Sequence, residues 1–300
     1  MTSVVKHLVK KGLIKPPGFV DGNIQYETVM GSVAYGTNTE DSDIDIYGFC
    51  IPPQSILFPH TAGVIPGFDA NFQRFEQYQK HGVLDSEAHA GKGEEYDMQI
   101  YSIIKYFRLC LDNNPNMIDS LFTSHDCVRF ATPLAGMVRD GRKLFLHKGC
   151  WHKFAGFSRS QIKKMKNKTP DSNRYWMIEK YGYDVKFAMN AVRLLYEAEQ
   201  ILTSGDIDLR RDSDSLRAVR RGDWTEKEVA DWVGDKAARL EKVYDESNVI
   251  PVRPREKEVK QLLVNCLEHH YGSLGNVLIL PDRYKSALMD IQDLINKALG

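Results

Sequence analysis

Two aspartates one residue apart, Asp43 and Asp45, lie in the stretch MGSVAYGTNTEDSDIDIYG that runs from Met30 to Gly48. If Asp43-Ile44-Asp45-Ile46 is extended, both carboxylates fall on one face, roughly 6–7 Å apart, and Ile44 and Ile46 point to the opposite, buried face. Like charges held that close repel unless they are protonated or neutralised by a cation. Hard oxygen ligands of this kind suit magnesium or manganese. Two such ions about 4 Å apart activate an attacking hydroxyl and stabilise a leaving oxygen. Gly31-Ser32 supplies the complementary half. A glycine after a strand lets the backbone turn tightly, and free N–H groups there, with the Ser32 hydroxyl, can hold phosphate oxygens. Phosphoryl-type transfer needs mainly positioning and charge neutralisation, so the pairing is chemically sufficient. Each piece alone is common. A strand, Gly-Ser, an eleven-residue step and Asp-x-Asp in an apolar strand together are much more specific. The plainer reading is a surface turn with an aspartate cap.

These side chains need a rigid frame. Ile24 to Met30 is rich in β-formers and predicts a strand that Gly31-Ser32 breaks, with Val33–Gly36 opening a helix or staying a turn. Ile44 to Ile51 is apolar and β-branched, which suits a buried strand, and Pro52-Pro53 ends it. Residues 4–14 read as a short helix stopping before Pro16-Pro17. Residues 59–94 show no clear period and read as loops with room for a hairpin. Tyr96–Ser102 reads as a strand, Ile103–Asp112 as a helix, Asn114-Pro115-Asn116 as a turn and Met117–Phe122 as a helix. Residues 151–168, 174–203, 225–246 and 256–271 carry apolar positions at helical spacing. Gly205 is a natural stop, and residues 204–224 read as a charged connection. A sheet region followed by a run of helices is the α+β pattern, with a catalytic part over residues 1–135 and a helical part over 136–300.

Composition narrows the class. The chain has 300 residues and an apolar fraction of 42%, enough for a sizeable core. Its five cysteines are scattered and form no CxxC pair, so neither a zinc knuckle nor a disulfide framework is legible, and a reducing, cytoplasmic setting fits. No apolar run approaches the ~20 residues that span a bilayer, and the lysine-rich start lacks the uninterrupted apolar core of a signal peptide. Net charge is zero but uneven: residues 1–130 carry 10 Lys and Arg against 16 Asp and Glu, and residues 131–300 carry 30 against 24. Eleven basic residues fall between Arg139 and Arg174 against only Asp140 and Asp171. An acidic front beside a basic stretch suggests metal binding next to polyanion binding, with a solvated basic helix face as the plainer alternative.

Gly31-Ser32 followed by Asp43-x-Asp45 resembles the signature of the polymerase-beta nucleotidyltransferase superfamily. The longer strings Gly-Ser-x-Ala-Tyr-Gly-Thr, Ser42-Asp-Ile-Asp-Ile-Tyr-Gly48, Asn114-Pro-Asn, Tyr181 to Leu195 and Leu216 to Gly222 are similar to a microbial and viral family within it that includes enzymes assigned to RNA repair pathways. The resemblance covers most of residues 28–265. It implies a small mixed sheet of palm-like form with flanking helices, two divalent ions on Asp43 and Asp45, and a nucleoside triphosphate held by Gly31, Ser32 and Ser42. It also implies a third carboxylate on a neighbouring strand, for which Asp97 is the candidate and Glu95 the alternative. Lys186 and Arg193 are seven apart, hence on one helix face, and with the resemblance they become candidates to meet the triphosphate. A snorkelling surface pair is their plainer reading. Tyr35 and Tyr183 could stack on a base, although a buried tyrosine is the commoner outcome. Asn114-Pro115-Asn116 reads as turn chemistry rather than a substrate contact. His269-His270 has no partner at ligand spacing, and Gly91-Lys92-Gly93 is no phosphate loop.

The expected activity is transfer of a nucleoside monophosphate from a triphosphate to an acceptor hydroxyl, with pyrophosphate released. RNA is the leading acceptor, held by the basic stretch 139–174. A protein hydroxyl and a small molecule are the alternatives. A non-catalytic nucleotide-binding module would show loss of a metal carboxylate, and Asp43 and Asp45 are both intact.

Overall fold

A computed structural model describes residues 2–39, 42–65, 74–166, 175–274 and 282–299. The chain opens with α1 (Val4–Lys10), β1 (Ile24–Val29), α2 (Gly31–Ala34), β2 (Ile44–Cys50) and α3 (Gln54–Leu57). Next come β3 (Gln77–Asp85), α4 (Ala88–Gly91), β4 (Glu94–Ser102), α5 (Ile103–Leu111), α6 (Pro115–Phe122), β5 (Val128–Ala131) and α7 (Pro133–Asp140). From there the described chain is helical: α8 (Cys150–Lys166), α9 (Tyr175–Tyr181), α10 (Val185–Ser204), α11 (Ser213–Arg221), α12 (Glu226–Glu246), α13 (Glu256–Tyr271) and α14 (Asp282–Leu299).

The five strands form one mixed sheet in the order β3-β4-β2-β1-β5. Only β2 and β4 run parallel, and their register sets Asp45 beside Asp97. β1 lies between β2 and β5, antiparallel to both, and all six of its residues are buried. That central position buries even its polar residues Gln25, Glu27 and Thr28. The fold is therefore α+β, as the sequence predicts, and a single buried apolar cluster runs from Val5 through the sheet and the helices to Leu267. No described helix is long and apolar enough to cross a membrane.

Several expectations change in detail. The region 59–94 contains the nine-residue strand β3, which pairs with β4 as a hairpin. The pairing slips between Lys80 and Val83, so the strand shows no regular alternation to read. β5 has only four residues, too short for a periodic signal. The charged connection 204–224 holds α11, whose buried side is just Leu216 and Val219. The helix expected over 174–203 is two helices. Gly182, at φ +84°, breaks the run, and Asp184 starts α10 by accepting the N–H groups of Lys186 and Phe187 at 2.9 and 3.1 Å. Residues 167, 168 and 174, at the edges of two expected helices, lie outside the described residues, as do 66–73 of the loop region.

A buried acid ties the first helix to the sheet. Glu27, in β1, is fully buried and accepts the Ser3 hydroxyl at 2.7 Å and the N–H groups of Val4 and Val5 at 2.7 and 3.2 Å. Its charge meets the unpaired donors and positive dipole end of α1. Burial still raises its pKa above the usual glutamate value, against those donors. At the other end of α1, Lys11 pairs with Asp85 of β3 at 2.8 Å. Glu27→Ala is expected to cost about 2–4 kcal/mol, because it strips a charged partner from three donors in the core. Urea unfolding measures this, and a loss below about 0.5 kcal/mol would mean that α1 docks without Glu27.

Candidate active site

Asp45 is the second residue of β2, where Ile44 and the fully buried Ile46 on the opposite face fix the strand in the sheet. Gly31 follows β1 on the next strand. Its φ is +63°, and a Cβ placed there would come within 2.1 Å of Asp45 Oδ2. The backbone of the Gly-Ser turn thus packs directly on the carboxylate, an approach only glycine permits. A hydrogen bond from Met30 N–H to the Asp45 carbonyl, 2.7 Å, closes the strand pair just before the turn. Asp43 stands one residue before β2, exposed.

Asp45 has a pKa raised to about 6. Burial is the main cause, followed by the charge of Asp43, while Lys186 opposes the rise and Asp97 adds to it. These are two oxygen-rich side chains short of positive charge, which is the donor set a hard divalent cation satisfies. Asp97 lies directly across from Asp45 on β4, and Glu95 lies beyond the end of the β2–β4 pairing. The Asp97 carboxylate accepts the Gly82 N–H at 2.8 Å and faces His81 Nδ1 at 2.9 Å. Among the described residues, no group of three or more His, Cys, Asp or Glu side chains is arranged to hold a metal ion.

Gly31, Ser32, Ser42, Asp43, Asp45, Lys186 and Arg193 all line one cavity of about 440 Å³ between the end of the sheet and α8, α10 and α11. Ser42 also accepts the Thr39 N–H at 2.9 Å, which shapes the loop before β2. Lys186, half-buried in the first turn of α10, is the cation that most strongly draws Asp45 down. Arg193 is different. It is buried, pairs with Asp119 of α6, and binds Glu197 one turn along α10 at 2.8 Å. Its guanidinium lies 4.2 Å from the Tyr35 ring, and the Tyr35 hydroxyl donates to Asp119 at 2.9 Å. Arg193 therefore forms the cavity wall with its charge already matched. Burial drives the Asp119 carboxyl upward, and Glu197 up to about 8, with Arg193 opposing both shifts.

Tyr35 is thus a buried wall residue. Tyr183 is absent from the cavity lining and donates to the Trp224 carbonyl at 2.5 Å. Asn114 caps α6 and Pro115 begins it, as turn chemistry predicts, but Asn116 lines the cavity and is hydrogen-bonded to Tyr47. Tyr47 was within reach of sequence reasoning, because it shares the strand face of Asp43 and Asp45. Lys164 of α8 and Arg220 of α11 also line the cavity. Only the packing of distant helices brings them there, so no local signal marks them. His269 and His270 end α13, away from this cavity.

The basic stretch divides in two. Arg139 donates to Tyr26, at 2.5 Å, and to Thr123, Lys143 pairs with Asp206 at 2.6 Å, and Lys148 donates to the Ser247 carbonyl at 3.1 Å. Arg139 and Lys148 brace the interior in this way, while the Lys143 pair lies at the surface. Arg159, Lys163, Lys164 and Lys166 on α8 are exposed. Lys168 and Arg174 lie outside the described residues.

The sequence pattern of the RNA repair pathway DNA polymerase beta family matches residues 15–250. No curated protein matches the chain. A solved nucleotidyltransferase-like protein from Exiguobacterium sibiricum is similar at 10% identity, over 80% of this chain and 73% of that one, with a TM-score of 0.28.

Two stability measurements test this arrangement. The folded-state value of Asp45 lies above its unfolded value, so its contribution is complete below about pH 4 and is lost as pH rises through about 6. In metal-free buffer Asp45→Asn is therefore expected to be more stable than the parent at pH 7.5, by at most about 3 kcal/mol, and equal to it near pH 4. Equal stability at both pH values would remove the strain assigned to Asp45. Arg193→Ala is expected to cost about 3–5 kcal/mol by stranding buried Asp119, whereas Glu197→Gln stays within about 1 kcal/mol of the parent. Chemical denaturation distinguishes the two, and equal costs would contradict the arrangement.

Proposed function

The chain belongs to the RNA repair pathway DNA polymerase beta family and is a nucleotidyltransferase. From that premise we propose that it transfers a nucleoside monophosphate from a nucleoside triphosphate to a hydroxyl at an RNA end. The single observation that carries this reading is the Asp43–Asp45 pair under the Gly31-Ser32 turn, in one cavity with Lys186. The acceptor oxygen attacks the α-phosphorus, the α–β bridging bond breaks and pyrophosphate leaves. Asp43 and Asp45, with Asp97 as the third carboxylate, would hold magnesium or manganese ions, which supply charge neutralisation at the acceptor and leaving oxygens. The N–H groups of the Gly31-Ser32 turn and the Ser32 hydroxyl orient the phosphates. Lys186 and Lys164 balance their charge from the helical side. Asp97, in register with Asp45 on β4 although it does not line the cavity, would take the acceptor's proton, and α10 would close the nucleotide against the sheet.

The exposed face of α8 supports RNA over a protein or small-molecule acceptor. Arg159, Lys163 and Lys166 recur at helical spacing on its surface, and Lys164 joins that face to the cavity. A backbone of phosphates matches such a row.

The deciding experiment incubates the protein with each α-labelled nucleoside triphosphate, magnesium or manganese, and total RNA, followed by a gel. Label on RNA is expected, reduced at least a hundredfold in Asp43→Asn and in Asp45→Asn, while both variants remain folded. Label on protein alone would replace RNA with a protein hydroxyl, and undiminished activity in both variants would overturn the carboxylate assignment.

A further inference from the structure

Trp176 and Tyr175 open α9 with about half their surface in water, 51% and 55% exposed respectively. On this helix only Met177 is buried. A tryptophan left half in solvent forgoes much of its burial energy, and two exposed rings side by side are the kind of apolar patch that marks a contact surface. Trp176 is not among the cavity's lining residues, so it stands outside the space for the nucleotide.

A path nevertheless leads from Trp176 to that cavity. The Trp176 and Tyr181 rings lie 6.3 Å apart, and the Lys180 ammonium sits 5.0 Å over Tyr181. Tyr181 packs on the end of α11: a Cβ at Gly222, where φ is +79°, would come within 2.3 Å of its ring. Two residues back, Arg220 lines the cavity. The Trp176 and Tyr181 rings thus connect to the end of α11, whose Arg220 lines the same cavity as Asp43 and Asp45. Alternating ring faces and positive charge is the pattern that holds an unpaired nucleic-acid strand, because every base has a face to stack and every linkage a charge to neutralise.

We propose that Trp176, with Tyr175 beside it, is a stacking platform for an unpaired base of a single-stranded RNA acceptor whose end reaches the cavity past Arg220. This rests on the RNA reading above and adds that the acceptor enters with unpaired nucleotides. A fully paired end keeps its bases stacked on one another and presents none to Trp176.

The test compares the full chain with Trp176→Ala and Trp176→Phe. Binding of a fluorescein-labelled oligoadenylate of about twelve nucleotides, and of a blunt RNA duplex of equal length, is read by anisotropy at two salt concentrations. Trp176→Ala should weaken single-strand binding roughly tenfold, and Trp176→Phe by less than about threefold, because a ring remains. The salt slope should stay unchanged, since no charge is removed, and binding of a fluorescent ATP analogue should not move. Parent-like single-strand binding by Trp176→Ala, an equal loss on the blunt duplex, or a matching loss of nucleotide binding would each overturn the platform while leaving the RNA reading intact. A parent protein that binds neither RNA at low salt would remove the RNA reading itself, and the platform with it.

Discussion

The contact between the Gly31 backbone and the Asp45 carboxylate is the constraint on which the site depends. If this turn holds phosphates as proposed, it must carry no side chain and bend through a left-handed conformation to approach the carboxylates. Both demands fall on Gly31. Asp45 must in turn be held still while its charge is unwelcome, and the apolar packing of β2 does this. A sheet buried around β1 is what makes β2 stiff enough to hold a half-buried charge in place. The energetic cost at Asp45 is thus borne by the core beneath it.

A second layer of charge organises the wall opposite. Asp119, Arg193 and Glu197, with Tyr35, form a buried cluster that joins α6, α10 and the residues just after the Gly-Ser turn. It sets where α10 lies relative to α2, and hence where Lys186 stands relative to Asp45. Arg193 can be essential here without touching a phosphate. A cation already matched by two acids has little attraction left for a ligand, whereas Lys186, one face-repeat earlier on the same helix, forms no salt bridge among the described residues.

The carboxylate side of the candidate site was legible because its information is local. Gly31-Ser32, Asp43 and Asp45 are placed by two strands whose composition declares them, and the parallel pairing of β2 with β4 brings in Asp97. Asn114-Pro115-Asn116 reads as a turn before a helix at Met117, whereas Asn114 caps a helix that already starts at Pro115. What could not be read is what long-range packing decides. Lys164 and Arg220 reach the cavity from helices far apart in the chain. Arg193 looks like a phosphate ligand by spacing, but burial beside Asp119 gives it another partner. The stretch 139–174 looks uniform in sequence, yet tertiary contacts take up Arg139, Lys143 and Lys148 and leave the α8 cations in solvent. Charge counts along a chain do not distinguish a cation that braces the core from one that meets solvent.

The parallel pairing of β2 and β4 has a consequence for how the chain can vary. Asp45 and Asp97 are neighbours in space but about fifty residues apart in sequence, and the intervening segment leaves the sheet and returns through the β3–β4 hairpin. Closing a longer excursion costs little, about 0.6 kcal/mol for each doubling of its length. The strand register that aligns the two carboxylates does not depend on that length. A longer excursion between β2 and β3 therefore leaves the alignment of Asp45 with Asp97 unchanged, and it starts and ends beside Cys50 and Gln77, at the end of the sheet away from the cavity.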